Sequence, residues 1–133
     1  SERLVEFDDK WIELLKLTAK SSPKKTCRVC LHDNQAAKLH QMIIMHHKSI
    51  CVPIHKHVKS DELINIISGS AKLFMHSENG EIQKTIKLNR RNCISFRVPI
   101  NTLHSLKVNS EWFMFQETIL GPFEHKNTVY PKF

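Results

Sequence analysis

Apolar positions along this chain follow two different rhythms. Between residues 8 and 20, Trp11, Ile12, Leu14, Leu15 and Leu17 recur at helical spacing and make a broad apolar face. Asp8 and Asp9 suit the start of that helix, and Lys16 and Lys20 lie near the negative end of its dipole. Ser21, Ser22 and Pro23 end it. Beyond this point the runs become short and strand-sized: about 27–32, 39–46, 50–57, 62–68, 71–76, 82–88, 93–98, 103–108 and 112–119. Asn79-Gly80 between two such runs predicts a tight hairpin. The following EIQKTIKL alternates as a half-buried strand should, and Gly69 marks a strand junction. One helix followed by many short strands predicts an all-β sandwich or barrel with an N-terminal α-helix.

With 133 residues the chain fits one domain, 1–133: a helical segment over 1–23, a barrel over 24–119 and an irregular C-terminal arm over 120–133. No run approaches the roughly 18 apolar residues of a membrane helix, and no secretory signal is visible, so no membrane association and a cytoplasmic location are expected. In that compartment Cys27, Cys30, Cys51 and Cys93 are expected as free thiols. The lone CRVC stretch reads as structural, because residues three apart on a strand point to opposite faces. The net charge is +7, but the lysines are scattered and aromatic residues are not interleaved with them. That pattern argues against nucleic-acid binding and suits attraction of a small anionic ligand.

The chemistry concentrates in residues 53–69, PIHKHVKSDELINIISG. On a strand, His55 and His57 project from one face, and the polar segment after them can turn the chain so that Glu62 returns beside them. Glu62 opens the apolar run ELINII, where a carboxylate needs a compensating partner; a cation supplies one. Residues 93–108 hold a second candidate, His104, just after the turn-forming Pro99 and Asn101. Three histidines and one carboxylate would hold one divalent metal (Zn, Fe, Mn or Ni) and leave positions open, as catalytic sites do. The other histidines read differently. Neighbours His46 and His47 face opposite ways on a strand, and His32, His40, His76 and His125 read as structural or surface residues. Cys51 shares a regular strand face with His55 and His57, so it is expected in the cavity wall or the core, and Ile64 and Ile66 are expected to wall the pocket beside Glu62.

At these residues the sequence resembles the cupins. The first cupin motif is matched from His55 to Gly69, with Ser49 in place of its leading glycine. In the second motif Pro99 and His104 match, while Cys93, Asn101 and Val108 replace a glycine, a glycine and an asparagine. Asn101 is a mild departure, because asparagine tolerates the left-handed conformation. Over nearly the whole chain the sequence is similar to the WbuC family of cupin-fold metalloproteins, through the helix around Trp11, the stretch CRVCLH, the PIHKH core, the His104 strand and ETILGPF at 117–123. The resemblance implies a cupin jelly-roll β-barrel, a bound divalent metal, a homodimer and a setting in the synthesis of O-antigen and other cell-surface polysaccharides.

Three functions are compatible with such a site. One is isomerisation or epimerisation of a sugar or nucleotide sugar, with an open metal position polarising a carbonyl. Glu117, beside Gln116 on a late strand, is the candidate proton carrier if it faces the barrel. Tyr130, the single tyrosine, lies in the tail, so a mechanism with a tyrosine as proton carrier is not obviously available. The second is an iron-dependent dioxygenase, and the third a non-enzymatic sugar-binding or sensing module.

Overall fold

The computed structural model describes residues 4–133. Helix α1 spans Asp9–Ser21, and its N-cap Asp8 accepts hydrogen bonds at Oδ1 from the backbone N–H groups of Lys10 (3.1 Å) and Trp11 (3.2 Å). Only Leu15 and Ala19 of the helix are buried; Trp11, Leu14 and Leu17 are exposed. The apolar face is therefore wider than the surface it covers. The helix lies on the outside of a single sheet, and a cylinder resting on one sheet buries only one stripe.

Ten strands follow: β1 (Thr26–Cys30), β2 (Leu39–His47), β3 (Cys51–His57), β4 (Glu62–Ser68), β5 (Ala71–His76), β6 (Ile82–Leu88), β7 (Ser95–Val98), β8 (His104–Val108), β9 (Trp112–Leu120) and β10 (Thr128–Val129). They form two five-stranded antiparallel sheets, ordered β1-β2-β9-β4-β7 and β10-β3-β8-β5-β6. The sheets pack face to face, so one face of each supplies the main core. Ile44, Ile64, Ile66, Phe113 and Phe115 from the first meet Ala71, Leu73, Leu106 and Val108 from the second. On the outer face of the first sheet, Ile43, Met45 and Met114 pack under Leu15 and Ala19. Pleating explains the division: residues 43 and 45 face the helix while 42 and 44 face the barrel.

Three expectations change. The C-terminal arm is not irregular throughout: within it a 3-10 turn at His125–Asn127 leads into β10, which pairs Thr128 with His57 and Val129 with Lys56 at the sheet edge. Strand β6 is mostly exposed rather than half-buried, because it is an edge strand with only Ile86 and Leu88 turned to the core. Cys51 is exposed and lines neither core nor cavity. Its register shifts between Val52 and His55, around Pro53, which cannot donate to the ladder; across that irregularity Val52, not Cys51, faces the same cavity as His55 and His57. Among the described residues no helix is long and apolar enough to cross a membrane.

Gly69 joins β4 to β5 at φ +82°. A Cβ there would collide with the Trp112 carbonyl oxygen and sit 2.7 Å from Ser110 Oγ. Gly69→Ala is expected to destabilise the fold by about 2 kcal/mol or more, through left-handed strain and backbone collision together, read as a lowered midpoint in urea unfolding.

Candidate metal centre

The four proposed ligands do come together. In β3 and β8, His55 and His104 are direct cross-strand partners, and His57 follows two residues along the same face. Glu62 arrives from the opposite sheet at the first position of β4. The cluster thus sits between the sheets, at one end of the barrel. One ligand atom from each of the four residues lies within 4.8 Å of the others. Ring centroids are 4.3 Å apart for His55 and His104, 5.1 Å for His55 and His57, and 5.7 Å for His57 and His104.

The turn before His104 is fastened to both neighbours of the site. Asn101 adopts φ +64°, as its place in a glycine position requires, and its N–H donates to the His57 carbonyl at 2.8 Å. Asp61, just ahead of Glu62, accepts at Oδ1 from the Ile100 N–H (2.8 Å) and at Oδ2 from Arg97 Nη1 (3.2 Å). Sequence reasoning passed over Asp61. Its position between a polar turn and the ligand Glu62 was visible, but its partner lies 39 residues away and only the fold brings it near.

Nitrogen by nitrogen, the imidazoles are oriented for coordination. Nδ1 of His55 donates to the Pro53 carbonyl and Nδ1 of His104 to the Thr102 carbonyl, each at 2.8 Å. A carbonyl can only accept, so both rings carry their proton on Nδ1 and present a bare Nε2. Nδ1 of His57 lies 3.5 Å from Thr128 Oγ1, a contact supplied by the tail strand. Among the described residues, Nε2 of His57 and Nε2 of His104 have no hydrogen-bond partner, and both are buried. His57 Nε2 approaches Glu62 Oε2 to 2.5 Å, and His104 Nε2 is 3.8 Å from the same oxygen. Buried polar atoms without hydrogen-bond partners are costly, and here two imidazole nitrogens and a carboxylate oxygen converge. A divalent cation fits that donor set, so His55, His57, Glu62 and His104 could hold one.

Protonation agrees with this. Burial lowers the pKa of both His55 and His104, which keeps them neutral at ordinary pH. Burial works against ionisation of Glu62, but the imidazoles around it, His57 first, outweigh that cost and hold its carboxyl below the usual range.

The ligands open onto a cavity of about 510 Å³. Glu117 of β9 faces it, paired in register with Met42 on one side and Ile64 on the other, while Gln116 takes the opposite face. Burial pushes the Glu117 carboxyl up to about 8, the Glu62 charge adds to the shift, and the Arg28 guanidinium opposes it. Ile64 lines the cavity as expected; Ile66 lies in the core beyond it. Tyr130 is not remote: β10 carries its ring to 5.9 Å from that of His55. The remaining histidines divide. His40 and His46 are buried and border the cavity with His32, whose ring stacks on His40 at 3.9 Å. Burial, and then the Arg28 charge, lower His46 to about 4. His47 turns away against Trp112, and His76 is held by Ser105 Oγ (2.7 Å) and the Gly80 carbonyl (3.0 Å). Cys27 packs toward α1 and Cys30 toward the cavity, on opposite faces of β1.

Glu117 gives the metal-free protein a characteristic pH dependence. Its folded pKa of about 8 exceeds its ordinary 4.5, so its contribution to stability is present below 4.5 and is lost as pH rises toward 8. Glu117→Gln, which cannot ionise, is expected to remove that loss. In urea unfolding the variant should match the wild type near pH 4.5 and exceed it by on the order of 3 kcal/mol at pH 8.

Comparison with solved structures places this architecture. The protein SO0799 from Shewanella oneidensis superposes with a TM-score of 0.68 at 14% identity, over 94% of this chain and 84% of that one. A cupin superfamily protein, DSY2733, from Desulfitobacterium hafniense DCB-2 gives 0.57 at 15% identity, over 71% and 76%. The DMSP lyase DddQ from Ruegeria pomeroyi DSS-3 gives 0.60 at 18% identity, over 78% of this chain and 50% of that one. At such identities the likeness concerns the fold, which is a cupin β-barrel with an N-terminal helix. No curated protein matches the sequence. One family model matches residues 7–88, from the helix through β6, and so contains His55, His57 and Glu62 but neither His104 nor Glu117. That match covers more than half of the chain, which therefore belongs to the family DUF6016, a domain of unknown function.

Proposed function

We propose that this protein is a metal-dependent cupin enzyme that holds one divalent ion on His55, His57, Glu62 and His104 and moves a proton, through Glu117, on a small anionic sugar-type ligand. The observation that carries this reading is the pair of buried, partnerless Nε2 atoms of His57 and His104 beside the Glu62 carboxylate at the wall of a ligand-sized cavity. When bound, the ion supplies Lewis-acid polarisation of a ligand oxygen, which eases proton removal at the neighbouring carbon.

The chain's own groups supply the rest. Glu117, protonated at neutral pH, can donate a proton to the ligand and take one back, and a carboxyl poised near 8 is suited to both directions. Apolar walls from Ile64, Leu73, Phe113 and Phe115 keep water from the reacting carbon. Tyr130 stands at the His55 side of the cavity, where its hydroxyl can hydrogen-bond a ligand. The net charge of +7 raises the local concentration of anions. The resemblance of the sequence to the WbuC family supports a sugar or nucleotide sugar as ligand, and isomerisation or epimerisation in cell-surface polysaccharide synthesis as the setting.

Protein purified without added metal is expected to carry about one divalent ion per chain by elemental analysis, and His55→Ala and Glu62→Ala are expected to lose it while keeping the circular-dichroism spectrum of the fold. In deuterated water the metal-loaded protein is expected to exchange a carbon-bound proton of at least one member of a panel of sugar phosphates and nucleotide sugars, read by NMR. Glu117→Gln should slow that exchange by about 10²- to 10⁴-fold with metal content unchanged. Wild-type protein that retains no ion, or that consumes oxygen with these ligands and exchanges no proton, would overturn the reading.

A further inference from the structure

We propose that Arg28 is the anion anchor of the cavity, a subsite for the carboxylate or phosphate of the ligand placed apart from the His55, His57, Glu62 and His104 cluster. The proposal rests on the reading above only in taking the cavity as the ligand chamber; it does not require the metal.

Pleating commits Arg28 to the concave side. Its neighbours Cys27 and Val29 pack toward α1, so residue 28 must face the barrel, and it lines the cavity. It does so among apolar residues: Ile44 is its cross-strand partner, and Phe115 continues that row on β9. Arg28 is exposed at the open edge of the cavity, so its guanidinium meets solvent and is not forced to pair with a carboxylate. Among the described residues none lies within ion-pair distance of it. Its Nη1 donates to Met42 Sδ at 3.8 Å, a soft acceptor.

The nearby titratable groups do not neutralise it. His46, diagonal to it on β2, is held neutral, and Glu117 is held protonated near pH 7. Both feel the guanidinium charge. An unmatched cation facing a cavity whose acidic neighbour is uncharged attracts an oxyanion, and the arginine fork suits the two-oxygen edge of a carboxylate or phosphate.

Placement then restricts the ligand. In the first sheet β1 and β4 are separated by two strands, and the Arg28 row lies four residues further along the strands than the Glu62 row, so the two backbones stand roughly 20 Å apart, about 14 Å across the sheet and about 13 Å along it, before their side chains reach inward. Glu117, on β9, falls between them. A ligand anchored at Arg28 by its anionic group therefore extends past Glu117 toward the histidine cluster. The fitting class is a short, hydroxylated molecule charged at one end, such as a sugar phosphate or sugar acid.

Calorimetric titration with glucose 6-phosphate, glucuronate and glucose tests this on metal-free and metal-loaded protein. The expected result is that a charged sugar binds and neutral glucose does not, with the two charged sugars distinguishing phosphate from carboxylate. Arg28→Gln should weaken that binding about 10- to 100-fold with unchanged metal content and melting temperature, and Arg28→Lys should recover part of the loss. Equal affinity of Arg28→Gln and wild type, or no preference for charged sugars over glucose, would overturn the anchor. The two readings fail separately. Binding that depends on Arg28 in metal-free protein upholds the anchor even if the metal site fails, and intact metal binding with no Arg28 effect removes the anchor alone.

Discussion

Everything at the metal centre depends on the register between β3 and β8, which sets His55 directly opposite His104. A slip of one residue would turn either imidazole to the other face of its sheet. Two local features hold the register. The irregularity around Pro53 resets the inward positions of β3 from residue 52 to residues 55 and 57, and the Asn101 turn, bonded to the His57 carbonyl, fixes where β8 begins. The Pro53 carbonyl exposed by that irregularity then accepts the His55 Nδ1 proton, so the same feature sets both the position of the ring and its tautomer.

Against that three-histidine face stands a carboxylate from the other sheet. Glu62 is buried, and its cost is tolerated because the imidazoles crowd around it and because Asp61, bonded to the turn ahead of His104, anchors the start of β4. The fold leaves His57 Nε2 and His104 Nε2 without partners at the centre of a well-bonded surround. That contrast, tight outside and unsatisfied inside, marks the cluster as one that could hold a metal ion. The tail contributes as well, since β10 brings Thr128 to His57 and Tyr130 to His55.

The first sheet gives the cavity its polarity. Glu62, Glu117 and Arg28 project from β4, β9 and β1 into one chamber, ionised, protonated and cationic in turn. Apolar side chains fill the rows between them, so the states of Glu62 and Glu117 are set by burial and by their neighbours' fields.

By itself, the sequence determined a helix at about 8–20, observed at Asp9–Ser21, nearly every strand, the hairpin at Asn79-Gly80 and the candidate ligands His55, His57, Glu62 and His104. These follow from local rules: apolar period, turn chemistry and the two-residue spacing that puts two imidazoles on one face. Only the tertiary structure decided that Glu117 faces the cavity while Cys51 does not, that Asp61 ties the two histidine segments together, and that the tail returns as a strand carrying Tyr130. Each of these turns on a register irregularity or a contact between residues far apart in the chain. Strand alternation predicts which residues share a face, but not which face meets the other sheet; that is settled only when the two sheets close on each other.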